Sequence, residues 1–216
     1  MDTTVGPGNG AEEDVEKVLI IWGGWVGHHP ESTAQRVGEL LARTCAVTVT
    51  SDFATLINDD LTAYDVIIPV WSCGIRSDYY LDPLLQAVQR GVGLATFHGG
   101  INWFEDEKYY RMMGALYLSD SGEEEFAVTI ADTEHPITAG VTDFRIVSEK
   151  YRIQVDPTNH ILATADVAGV RTPIAWTRTH GAGRIFYTSL AHSPEQFFRS
   201  PNITMILNAI GWCARD

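Results

Sequence analysis

Three turns in this chain place imidazole where an apolar run stops. His28 and His29 follow the run 18–22, His98 follows 92–97, and His192 follows 184–189; Cys73 stands similarly after 64–70. If those runs are parallel strands of one sheet, their carboxyl ends share an edge and the histidines converge there. Imidazole changes charge near neutrality and is the commonest nitrogen ligand for transition ions, so such a group suits proton transfer or metal ligation. Any one strand-end histidine serves equally well as a cap or a packing residue. The chemistry therefore depends on convergence.

The stretch Thr96-Phe97-His98-Gly99-Gly100 has the form of a strand-to-helix elbow, in which a sharp turn lifts one side chain above the sheet and glycine permits the tight backbone. A Ser or Cys nucleophile would occupy the place of His98 in an acyl-transfer site. The imidazole there favours a base or a ligand.

The elements that must carry these turns are legible as periodicities. Continuous apolar runs predict buried strands over 18–22, 64–70 and 92–97, and a further strand is expected over 46–50. Helical spacing predicts helices over 31–43, 81–90, 105–116 and 202–214. Strand and helix alternate four times, which predicts a three-layer α/β fold: a mostly parallel sheet flanked by helices. Shorter β-branched segments at 125–130, 160–165, 172–178 and 183–190 predict antiparallel extensions returning to that sheet.

With 216 residues, 45% hydrophobic and 20% charged, the chain suits one globular domain with a full-sized core. The formal charge of -13 argues against nucleic acid and anionic membrane surfaces as partners and leaves small neutral or cationic molecules. Cys45, Cys73 and Cys213 are too scattered for a disulfide framework or a zinc ribbon, and a reducing, cytoplasmic setting is expected. Cys73 as a reactive thiol is a further alternative. Residues 1–16 read as a disordered acidic tail, neither signal nor anchor, ahead of a domain over 17–216.

Four segments together resemble the ThuA-like (trehalose utilisation) family: Ile21-Trp22-Gly23-Gly24-Trp25-Val26-Gly27-His28-His29-Pro30-Glu31, Phe97-His98-Gly99-Gly100, His135-Pro136-Ile137, and 183–192 ending in Ala191-His192. The resemblance runs from about Lys17 to the C-terminus. It implies a class I glutamine amidotransferase-like fold of flavodoxin-like topology and a role in disaccharide or oxidised-sugar metabolism. His98 stands where amidotransferases carry Cys, so glutaminase chemistry is not expected. After Leu116, the segment Tyr117 to Gly122 departs from the family, with Asp120 able to fill the missing role. Glu149 matches an acidic position of the family.

The expected function is action on a sugar or disaccharide derivative such as a 3-keto sugar, by hydrolysis, isomerisation or elimination. Two site chemistries compete. His28, His98 and His192 would hold a zinc or another divalent metal ion with a fourth position open; alternatively, His98, His192 and Glu149 would act as acid and base without metal. Trp22, Trp25 and Trp103 offer faces for sugar rings, and Gly23, Gly24, Gly99 and Gly100 offer close backbone approach to the ligand. A non-catalytic sugar-binding or regulatory protein on the same scaffold is the other reading. Self-association into a homo-oligomer stays open.

Overall fold

The computed structural model describes residues 15–72 and 74–214. Cys73 and most of the expected acidic tail lie outside the described residues.

Each apolar run becomes a strand. β1 (Lys17–Gly23) pairs in parallel with β2 (Ala46–Thr50) and β3 (Val66–Trp71), and β3 with β4 (Gly93–Phe97). Val18, Leu19, Ile20 and Ile21 are all fully buried. Successive side chains of a strand point to opposite faces. Val18 and Ile20 accordingly join one core cluster, while Leu19 and Ile21 join the other. Helices α1 (Pro30–Leu41), α5 (Pro194–Phe197) and α6 (Asn202–Cys213) contribute to the first cluster, and α2 (Thr55–Asn58), α3 (Asp78–Gln89) and α4 (Glu107–Met113) to the second. A sheet between two helical layers is the result.

The antiparallel part is larger than the sequence suggested. β5 (Ala115–Ile130), β6 (Phe144–Val155), β7 (His160–Val167) and β8 (Val170–His180) precede β9 (Gly183–Thr188), giving one nine-stranded sheet in the order β2-β1-β3-β4-β9-β8-β7-β5-β6. β9 pairs in parallel with β4 and antiparallel with β8. The sheet is thus mixed, parallel from β2 to β9 and antiparallel from there to β6.

Two expectations fail here for local reasons. The helix expected over 105–116 spans only Glu107–Met113: Asp106 caps its start by accepting from the Lys108 N–H, and Gly114, at φ 66, stops it. Leu116 then belongs to β5. β6 escaped notice because Ser148, Glu149 and Lys150 interrupt its apolar alternation, and β5 was read only over 125–130 because register shifts near Tyr117 and Asp120 break the period of its first half.

Candidate metal centre

The carboxyl ends of β1, β3, β4 and β9 face one edge, beside the point where the chain's strand order reverses between β1 and β3. Among the described residues, only His29, His98, Ala168 and Ala191 are non-glycine residues with positive φ. Three of these four build the histidine turns. His98 itself sits at φ 46 on leaving β4, His29 (φ 49) follows His28, and Ala191 (φ 79) precedes His192. Left-handed backbone costs a non-glycine residue about 1–2 kcal/mol, and such strain concentrates where side-chain placement matters.

The turns bring His28, His98 and His192 together, with Glu149 from β6 as a fourth member. Their ligand atoms all lie within 4.8 Å of one another. His98 Nε2 is the hub: His28 Nε2 is 3.3 Å away, His192 Nδ1 3.0 Å and Glu149 Oε2 3.2 Å. Glu149 Oε2 is also 3.3 Å from His192 Nδ1. Around an ion with metal–ligand distances of about 2.0–2.1 Å, tetrahedral ligand atoms stand about 3.3 Å apart. The three separations around His98 Nε2 and that between Glu149 and His192 match that edge length, and the whole set stays within 4.8 Å.

Protonation sharpens the fit. His98 Nδ1 lies 3.1 Å from the Ser189 carbonyl oxygen, which only accepts, so Nδ1 carries the proton and Nε2 turns its lone pair inward. Burial lowers the pKa of His98, and burial followed by the neighbouring His98 and His192 pulls that of His28 down to about 4. The hydrogen bond with His98 holds the Glu149 carboxyl below its usual value. Neutral imidazoles and an ionised carboxylate are the forms that ligate metals. With Nδ1 protonated, His98 Nε2 accepts from the Tyr151 hydroxyl at 2.9 Å, while Glu149 Oε2 stands 3.2 Å from the same nitrogen, where a cation or a proton would join the two. This donor set therefore fits zinc or a similar divalent ion.

Glu149, expected as an acid or base, stands among the ligand atoms, so the fourth position assumed open at the sequence level has an occupant. Tyr151, two residues on and hence on the same face of β6, places its hydroxyl 2.9 Å from His98 Nε2. Recognising β6 as a strand would have revealed it from that spacing alone.

Two cavities meet at the cluster. The outer one, about 350 Å³, is lined by Trp25, His28, Asn102, Tyr117, Asp120, Glu149 and Tyr151 together with Ser72, Gly99 and Ile101. Among the described residues, no lysine or arginine borders it. Asp120, on the stretch that departs from the family pattern, accepts from the Tyr117 hydroxyl at 2.6 Å. A narrower inner cleft runs behind His28 and His98 along Gly23, Ser72 and Gly99.

Several residues expected to face a ligand pack within the protein. Trp103 is fully buried in the α3/α4 core cluster and presents no face to a ligand, because a ring of that size contributes more by burial than at an edge. Trp22 packs against the opposite cluster and borders neither cavity. Of the three tryptophans, Trp25 alone borders the outer cavity; it is 52% exposed, with its ring 4.8 Å edge-on from that of His28. The glycines make close approaches to protein instead of ligand. A Cβ on Gly23 would strike the Trp71 ring, on Gly24 the Ser72 carbonyl, on Gly99 the Ser72 side chain, and on Gly100 the Thr96 hydroxyl. Gly23 and Gly99 still border the cavities; Gly24 and Gly100 do not. Among the described residues, no helix is long and apolar enough to cross a membrane.

Comparison with known proteins places this architecture. A ThuA-like protein from Bacteroides uniformis superposes with a TM-score of 0.80 at 19% identity, covering 97% of this chain and 95% of that one. A second, from Parabacteroides merdae, gives 0.75 at 18% identity over 93% and 90%. A β-galactosidase from Rahnella sp. R3 gives 0.55 at 15% identity, with 82% of this chain matching only 28% of the larger enzyme. At these identities the likeness is one of fold. No curated protein matches by sequence. The family model for ThuA, trehalose utilisation, matches residues 17–213, and the chain belongs to that family.

Proposed function

We propose that this protein is a metal-dependent enzyme acting on a sugar or disaccharide derivative, with 3-keto sugars the leading class, by hydrolysis, isomerisation or elimination. The observation that carries this reading is the convergence of His28, His98, His192 and Glu149 ligand atoms within 4.8 Å beside an open cavity. When bound, a divalent ion supplies a positive charge that polarises a carbonyl or hydroxyl oxygen.

The chain's own groups divide the remaining work. His98 is the central ligand, with its ring orientation fixed by the Ser189 carbonyl. His28 and His192 complete the imidazole set. Glu149, touching both His98 and His192, carries a proton when it is not ligating. The exposed Trp25 ring offers a hydrophobic face to a sugar, and Asp120 accepts from its hydroxyls. The Asp120 and Glu149 carboxylates that line the outer cavity disfavour an anionic substrate.

The wider reading is a cytoplasmic carbohydrate-metabolism protein with a small-molecule sugar as partner and no nucleic acid or membrane. Its scaffold is of the class I glutamine amidotransferase type with flavodoxin-like topology, forming a single domain from residue 17.

Elemental analysis of protein purified without added metal is the direct test. One equivalent of a divalent ion in the wild type, lost in His28→Ala and His98→Ala, is expected. Turnover of a keto-disaccharide abolished by His98→Ala, with binding retained, completes the case. A metal-free wild type removes the metal, and binding without any conversion supports a sugar-binding protein instead.

A further inference from the structure

Ser72, the residue after β3, is wedged between two of the turns at the site. Its carbonyl occupies the place a Gly24 Cβ would take, and its Cβ lies 2.5 Å from the position of a Gly99 Cβ. It is 5% exposed, and its hydroxyl has no hydrogen-bond partner among the described residues. A buried hydroxyl left without a partner is costly.

That hydroxyl belongs to a residue lining the inner cleft, along with His28, His98 and Thr33. The cleft leaves about 20 Å³ open to water centres, above the roughly 10–15 Å³ that one water needs. The unfilled Cβ position of Gly99 is also 3.4 Å from His28 Nδ1. Ser72 Cβ and that ring nitrogen therefore flank one gap and stand no more than about 6 Å apart, a span that one water bridges. Ligating histidines present one ring nitrogen to the ion and donate the other N–H to an outer partner. His98 has such a partner in Ser189. His28 approaches the cluster through Nε2, 3.3 Å from His98 Nε2, which leaves Nδ1 for an outer partner.

We propose that one ordered water in the inner cleft accepts from His28 Nδ1–H and donates to Ser72 Oγ, making Ser72 the positioning residue that aims His28 Nε2 at the ion. The role of His28 as a ligand comes from the function proposed above; the water site itself does not depend on it. Gly24 and Gly99 then have a common purpose, since both are needed to seat Ser72 where the water can reach it.

Ser72→Ala tests this with two readouts. Competition for Zn²⁺ against a chromophoric chelator is expected to show affinity weakened by about 10- to 100-fold, the usual loss for an outer partner of a ligand. In chelator-treated protein, where zinc plays no part, the variant is expected to melt about 2–4 °C lower, because a bridged water is lost. A merely orphaned hydroxyl behaves oppositely, since its removal leaves the melting temperature unchanged or raises it. Unchanged or raised melting temperature with unchanged zinc affinity overturns the proposal. A wild type that binds no zinc, with Ser72→Ala still melting lower, upholds the water and overturns only the metal reading.

Discussion

Glu149→Gln is the change whose effect should reverse sign with metal. In the metal-free protein, the ionised carboxylate and the inward lone pair of His98 Nε2 face each other at 3.2 Å, with side chains 17% and 3% exposed. An amide at this position donates its N–H to that lone pair. The Tyr151 hydroxyl, 2.9 Å from the same nitrogen, already offers that lone pair a donor, so the gain is the removed carboxylate repulsion and a shared hydrogen bond, about 1 kcal/mol. For a chain of this size the melting temperature should rise by at least about 2 °C with chelator present. With zinc the balance inverts. Free zinc at about 1,000 times its Kd stabilises the wild type by about 4 kcal/mol. Loss of a charged ligand costs at least about 100-fold in affinity, taking the upper figure for outer partners as a floor. The same zinc then stabilises the variant by only about 1.4 kcal/mol. Calorimetry with chelator and with zinc should therefore show crossed melting temperatures. A variant that melts lower than wild type in chelator refutes the reasoning, because it means a proton already joins His98 and Glu149 as an ion pair.

The remaining expectations separate packing from function and charge from burial. Trp103→Ala should lose about 3–5 kcal/mol of stability through the cavity it leaves, whereas Trp25→Ala should stay within about 0.5 kcal/mol and weaken binding of a keto-disaccharide; urea melts and ligand titration read the two. In chelator-treated protein, His28 has a folded pKa of about 4, below its unfolded value of 6.5. The unfolded chain therefore takes up more protons between those values, so stability falls as pH drops from 6.5 towards 4 and this contribution levels off below. His28→Gln should flatten the pH dependence of the unfolding free energy over that window, and equal slopes for the two proteins contradict the assignment.

The sequence alone determined the first four parallel strands, β1 to β4, whereas β9, read as an antiparallel extension, joins β4 in parallel. Runs such as Val18 to Ile21 are buried on both faces, and a continuous apolar run is a local signal that needs no partner to be read. It also determined that His28, His98 and His192 end strands, because each follows such a run. The tertiary structure decided the rest. Glu149 and Tyr151 reach the cluster on a strand whose polar interruptions hide its period, and β6 is placed by pairing with β5 across register shifts that no local pattern encodes. Trp103 and Trp25 are the same residue type near the same turns, yet one is fully buried and the other 52% exposed. Residue type fixes how much surface an aromatic can bury, and only the packed helices decide whether that surface is covered.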